Sequence, residues 1–289
     1  MSDAALGSPG SPTALLGRLR PWRGGGTLAA GLALAAVLVL GSFVGPLLYT
    51  ANPYALHPDH VLALPNAAFP LGTDELGRDA LARLLSGGAA TLLVSLPAAL
   101  LAFVTGTLYG LASGLGPAWL DQVLMRLLDA VLALPGLVIL IFFAALVTLN
   151  VPSLILLLGL LSWPGLARLV RNEVVAQRDR DFVAAARQLG GGQWYVARVH
   201  LLRVMAPVLV VNGTLLVGDT VFALSALSFL GLGVQPPYTS WGGLLESALD
   251  LVALDPWWLI LPPGLAIFAA LLAASLIGQG LLARWGGAR

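Results

Sequence analysis

Long uncharged runs alternate with short charged clusters along this 289-residue chain. A helix rises about 1.5 Å per residue and needs about 20 apolar residues to cross a bilayer. The run between Arg23 and Asp59 predicts a first such helix near 28–49, and the run between Arg83 and Asp121 a second near 89–113. The stretch from Asp129 to Arg168 is too long for one crossing. The turn signal Asn150-Val151-Pro152-Ser153 divides it into helices near 123–148 and 153–171. The run from Arg203 to Glu246, interrupted only by Asp219, predicts a fifth near 205–231. Asp255 to Arg284 encloses a sixth near 257–283. The pattern predicts an all-α integral membrane protein with six transmembrane helices.

Charge orients these helices. Arg18, Arg20 and Arg23 precede the first, Arg284 and Arg289 follow the last, and seven more arginines lie in the 168–203 segment. Across the six predicted crossings all twelve fall on one face. The opposite face has only Arg78 and Arg83, among Asp59, Asp74, Glu75, Asp79, Glu246, Asp250 and Asp255. The positive-inside rule then places both termini and the Arg-rich loop in the cytoplasm. The Ser/Pro/Gly-rich tail, residues 1–27, reads as disordered. A secretory signal is the rival reading of residues 1–49, but the apolar run is too long and no clear cleavage site follows it.

Composition agrees. The chain is 58% hydrophobic and 10% charged, with a net charge of +1 and a mean hydropathy of +0.90. A soluble domain carries about 45–50% apolar and about 25% charged residues, so an ordinary soluble enzyme is excluded. A nucleic-acid partner is excluded by the missing basic excess. The chain has no cysteine, hence no disulfide or thiolate chemistry, and no lysine. A Walker A loop requires lysine at the nucleotide phosphates. The sequence therefore predicts no cofactor on this chain, and any ATP that drives its work is bound by another polypeptide.

Three loops carry information. The segment 50–88 holds Phe69-Pro70-Leu71-Gly72-Thr73-Asp74-Glu75-Leu76-Gly77-Arg78-Asp79. It reads as a turn leading into a helix capped by Thr73 or Asp74, either a structural lid or a contact surface for an extracytoplasmic partner. The loop 172–203 holds Phe182-Val183-Ala184-Ala185-Ala186, then Gly190, Gly191, Gly192, Trp194 and Tyr195. Small residues there permit close approach of another backbone, the glycines allow a sharp turn, and the aromatics resemble interface anchors. The alternative is a hairpin lying on anionic lipid. The loop 232–256 contains Pro236 and Pro237, which forbid a regular helix. Trp241, Trp257 and Trp258 suit an interfacial belt.

Isolated polar groups are ambiguous. Asp219 inside a spanning helix is costly and faces either a translocation path or a neighbouring helix. Asp129 is spaced to pair with Arg126. His57, Asp59 and His60 supply too few ligands for a convincing metal site. His200 reads as a surface loop residue rather than a base. An ion-coupled secondary transporter would want more intramembrane polar residues and an inverted repeat. An intramembrane serine protease using Ser113 would want a histidine within a spanning helix.

Three motifs resemble a known family, the C-type inner-membrane permease subunits of dipeptide, oligopeptide and nickel ABC importers. They are Phe69–Asp79 with its Gly72, Thr73, Asp74, Gly77, Arg78 and Asp79; residues 182–190, similar to the family's Glu-Ala-Ala-x-x-x-Gly coupling motif; and Leu227–Pro237 followed by Ser240-Trp241-Gly242. The likeness spans nearly all of residues 28–283. The family's Glu falls on Ala184, a Pro on Arg203 although Pro207 matches a second, and another Glu on Leu224. The coupling loop is therefore somewhat divergent.

The resemblance implies the type I importer fold. Residues 28–88 form the first transmembrane helix and an extracytoplasmic segment, 89–283 the membrane domain with coupling loop 172–203, and 284–289 a cytoplasmic tail. Residues 180–203 would form two short helices docking on an ATP-binding subunit through Ala184, Ala185, Ala186, Gly190, Trp194 and Tyr195. The implied partners are a second homologous permease, two ATP-binding subunits carrying ATP and Mg²⁺, an extracytoplasmic solute-binding protein and membrane lipid. The implied location is the bacterial cytoplasmic membrane, and the implied cargo is peptide, with nickel or another small solute as the alternative.

Overall fold

The computed structural model describes residues 24–146 and 150–286. Residues 1–23, 147–149 and 287–289, which include most of the first expected tail and half of the second, lie outside the described residues. Ten helices of eight residues or more order the described chain: α1 Gly24–Phe43, α2 Ala80–Leu115, α3 Ala118–Leu132, α4 Gly136–Leu146, α5 Val151–Ser162, α6 Pro164–Arg178, α7 Asp181–Gln188, α8 Leu202–Phe229, α9 Trp241–Leu249 and α10 Trp257–Gly286. Four of them, α1, α2, α8 and α10, are long and apolar enough to cross a membrane individually.

The other spanning material is broken. The helix expected over 123–148 is two, α3 and α4, bent by 77°. Pro135 explains the break, because its ring clashes with a continuing helix and it pushes Leu134 away from helical backbone. The helix expected over 153–171 is α5 and α6, bent by 40° at Trp163-Pro164. The Asn150 turn signal is a capping box: Asn150 Oδ1 accepts from Ser153 N at 2.9 Å, while Ser153 Oγ accepts from Asn150 N at 2.8 Å. The structure thus holds four to six candidate spans, six if each bent pair counts as one.

The long helix α2 is the axis of the fold. Its 36 residues span about 54 Å at helical rise, and it packs on α6, α5, α8 and α1. Gly106, Gly110 and Gly114 recur every helical turn on the face that meets α6. A Cβ at Gly110 would lie 2.6 Å from the Ala167 carbonyl, and one at Gly114 would lie 2.7 Å from Val174. These absences of side chain let the two backbones come close, as small residues do between membrane helices. The cluster built on this contact includes Leu111, Leu166, Val170 and Val174, and it continues into Val183, Val196, Leu201 and Met205. The Arg-rich loop is therefore rooted in the bundle core. A second cluster joins α2, α5 and α8 through Val94, Leu154, Leu158, Leu224 and Leu227.

Candidate functional site

The two conspicuous motifs sit at opposite ends of α2. At its N-terminus, the Gly72–Asp79 segment folds back on itself in a tight polar hub. Thr73 and Asp79 pair as an isolated bridge. Gly72 (φ +67°) and Gly77 (φ +73°) take left-handed backbone, and a Cβ at Gly77 would stand 2.0 Å from the His57 carbonyl oxygen. Only glycine fits there, by conformation and by space.

The helix cap differs from expectation. Asp79, not Thr73 or Asp74, caps α2: its Oδ1 accepts from Leu81 N at 2.8 Å and Ala82 N at 3.0 Å. Thr73 instead donates its hydroxyl to the His60 carbonyl and accepts from Ala63 N at 2.8 Å. Asp74 gathers the basic groups. It accepts from Arg78 Nε at 2.7 Å, from the backbone N–H of Leu76 and Arg78 at 2.9 Å each, and from buried Arg83. Burial alone would push the Asp74 carboxyl up; Arg83, the two N–H groups and Arg78 outweigh it and hold it below the usual carboxylate value. Burial and the neighbouring Asp74 charge push Glu75 up. Tyr49 donates to Asp79 Oδ2 at 2.5 Å. Burial first, then that hydrogen bond and charge, push its hydroxyl up to about 12.

This hub also organises the tryptophans. Trp258 is 7% exposed, and its indole N–H donates to the Thr73 carbonyl at 3.2 Å. Trp241 is 2% exposed and donates to the Leu84 carbonyl at 3.1 Å. These two are structural pins rather than the interfacial belt expected from sequence; Trp257 alone of the three is exposed. Ser240 caps α9 at Gly243 N, which ends the loop that Pro236 and Pro237 keep non-helical. His57 and His60 each lie 5.4 Å from the Phe69 ring as packing partners.

At the other end of α2 the Arg-rich loop has the opposite character. It forms two short helical pieces, α7 and the turn Gln193–Tyr195, which runs through a π-helical stretch, Val196–Leu201, into α8. Gly190 makes the reversal at φ +87°, with open space where a side chain would stand. Val183 and Ala186 face the core, while Ala184, Ala185 and Gly190 lie on the surface. Trp194 is 69% exposed and Tyr195 52% exposed. Phe182, Ala185, Leu189, Gly190 and Tyr195 line an open groove with His200. The His200 ring lies 5.7 Å from Tyr195 and 6.1 Å from Phe182. Small side chains beside uncovered aromatics suit a helical surface that receives another protein.

Asp219 belongs to neither group. It lies on an exposed face of α8 with Leu215 and Phe222, and it makes no ion pair among the described residues. Its neighbours Gly218 and Thr220 turn toward the interior, against Ala274 and the Ser95 carbonyl.

A third polar cluster is one that sequence reasoning missed. Asp121 of α3 accepts from Arg171 of α6 through Nε at 3.0 Å and Nη2 at 2.5 Å, and from Ser113 Oγ at 2.5 Å. Asp129 pairs with Arg168, not with Arg126 as its spacing suggested. The available signal was that Asp121, Asp129 and Arg168 each interrupt long apolar runs, where an unpaired charge is expensive.

Known proteins resemble this chain along most of its length. Residues 106–285 match the family model described as binding-protein-dependent transport system inner membrane component. The di/tripeptide transport system permease protein DppC of Pseudomonas aeruginosa is 36% identical over 258 residues, covering 87% of this chain and 84% of that protein. The probable D,D-dipeptide transport system permease protein DdpC of Escherichia coli is 32% identical over 248 residues, 86% of this chain and 83% of that protein. The glutathione transport system permease protein GsiD of Pectobacterium atrosepticum is 32% identical over 255 residues, covering 88% and 84%. With this agreement along nearly its whole length, and with several apolar helices able to span a bilayer, the chain belongs to the inner-membrane components of binding-protein-dependent transport systems, and it is a transport permease subunit rather than an enzyme.

Proposed function

We propose that this chain is one of two permeases in an ATP-driven peptide importer of the cytoplasmic membrane. It crosses six times: α1, α2, α8 and α10 once each, and the bent pairs α3–α4 and α5–α6 once each. Both termini and the Arg-rich loop face the cytoplasm, because twelve arginines gather there. The Gly72–Asp79 hub then braces the outer face, the side from which a soluble binding protein delivers cargo. Peptide as cargo is supported by the relatives above, whose names specify di/tripeptide, D,D-dipeptide and glutathione transport.

The observation that carries the coupling role is the exposure of Trp194 and Tyr195 on a loop whose other face is rooted in the core. Two ATP-binding subunits, holding ATP and Mg²⁺, receive Ala184, Ala185, Gly190, Trp194 and Tyr195 of this loop and its counterpart in a second permease, while Ala186, expected in the same contact, packs inward and lets the loop sit close on the bundle. Nucleotide-driven closure draws the loops together, and hydrolysis resets them. The energy is the differential affinity of the partners for two conformations. Cargo passes between the two permeases, with Asp219 on that exposed face.

Reconstitution of the chain with its partner subunits in proteoliposomes tests this reading. Uptake of labelled dipeptide should require ATP and the binding protein. Uptake driven by an ion gradient without ATP would contradict it.

A further inference from the structure

The helix α3 is barely buried. Leu128 is its single buried residue, and Trp119, Val123, Leu127 and Leu132 are all exposed. Little apolar packing among the described residues fixes its position against the bundle. Polar contacts do. Tyr109 of α2 donates to the Leu124 carbonyl at 2.7 Å. Arg171 and Arg168 of α6 hold Asp121 and Asp129, and Ser113 at the end of α2 donates to Asp121.

The helix α6 is the contrary case. It is locked to α2 by the Gly106, Gly110 and Gly114 contacts, and Arg178 in its last turn donates to the Gly114 carbonyl at 3.2 Å. After two intervening residues the chain enters α7, the first piece of the proposed docking loop. A single helix therefore carries the docking loop at its end and presents two arginines to a loosely packed arm.

We propose that Asp121–Arg171 and Asp129–Arg168 form a strut that passes movement of the docking loop to the broken helix α3–α4. All four are positioning residues for transport; none needs to touch cargo or nucleotide. The strut works because the two-nitrogen Arg171–Asp121 pair resists displacement in both directions, with the half-exposed Arg168–Asp129 pair as a second, weaker contact, whereas the exposed apolar face of α3 slides against its surroundings at little cost. Arg171 holds the Asp121 carboxylate through two nitrogens, which fixes orientation as well as distance. The kink at Pro135 then converts a shift of α3 into a swing of α4.

This proposal rests on the docking-loop reading, and the test separates the two. The absence of cysteine from this chain allows spin-label pairs to be placed on it before it is assembled with its partner subunits into the complete reconstituted transporter. One pair joins Leu282→Cys on α10 to Ala176→Cys on an exposed position of α6; the other joins Leu282→Cys to Gln122→Cys on α3. In the otherwise native protein, trapping with ATP should change both distances. In Asp121→Asn/Asp129→Asn, the α6 distance should still change while the α3 distance stays at its resting value. Transport per ATP hydrolysed should then fall below that of the native protein. The charge exchange Asp121→Arg/Arg171→Asp should restore a large part of the ratio, which a generally damaged fold would not do. An α3 distance that follows ATP in the double Asn variant overturns the strut. A native protein in which neither distance responds overturns the docking-loop reading and the strut with it.

Discussion

The two ends of α2 carry motifs of similar length and opposite construction. At the Gly72–Asp79 end, polar side chains point inward and are partnered: Asp74 with Arg78 and Arg83, Asp79 with Tyr49 and two backbone N–H groups, Thr73 with His60 and Ala63. At the Arg-rich end, Trp194, Tyr195 and Leu189 point outward with little to cover them. A conspicuous sequence motif can thus be either a closed structural joint or an open contact surface, and burial separates the two. The first should fail by unfolding when altered. The second should fail by losing function while folding normally.

The largest expected effect follows from that contrast at Asp74. Asp74→Ala strips the carboxylate from Arg83, leaving a buried guanidinium without its counter-charge. The expected loss is about 3–5 kcal/mol, read as a large fall in unfolding temperature in detergent. A variant of native stability would break the comparison at its stronger end.

Two glycines sharpen it. Gly77→Ala forces a left-handed backbone and a clash with His57, at a cost of about 2–4 kcal/mol. Gly190→Ala imposes a left-handed backbone in open space, for about 1–2 kcal/mol. Thermal unfolding of both variants should reproduce that order; equal losses would mean the loop end is as tightly built as the hub.

A subtler effect concerns Tyr49. Its hydroxyl titrates at about 12 instead of 10.0, so its contribution to the hub is complete below pH 10 and is lost as pH rises through about 12. Asp79→Asn removes the hydrogen bond and the charge and should return the midpoint part of the way toward 10.0. Tyrosinate absorbance, compared with Tyr49→Phe, reads this directly. An unchanged midpoint would show that burial alone raises it.

Much of the fold is legible in the sequence because a bilayer imposes a length on every apolar run. The start of α8 and both ends of α10 lie beside charged residues, Arg203, Asp255 and Arg284. The break at Pro135 is not legible in the same way, since the flanking residues are apolar on both sides and hydropathy does not register a bend. Trp241 and Trp258 mislead for a related reason: amphipathic residues near helix ends suit an interface, and only tertiary contacts with Leu84 and Thr73 show that their N–H groups are satisfied inside. Asp79 displaces Thr73 and Asp74 as the cap because those two are already engaged within the hub. The pairing of Asp129 with Arg168 depends on α3 lying across α6, which local spacing cannot express. The aromatics at Trp194 and Tyr195 are readable in the sequence because a tight glycine turn leaves nothing nearby to bury them.

The proposed role of the Arg-rich loop as a cytoplasmic docking surface can be read at one exposed residue. Trp194→Cys supplies a single cysteine in a chain that has none, and truncating so exposed a side chain should cost less than about 0.5 kcal/mol of stability. Labelling this variant with a membrane-impermeant maleimide, in vesicles of both orientations and with and without the ATP-binding subunits, is the most direct test. Modification should occur only from the cytoplasmic face, and the cysteine should be protected once the ATP-binding subunits are assembled. Modification from the outer face, or reactivity unchanged by those subunits, would contradict it.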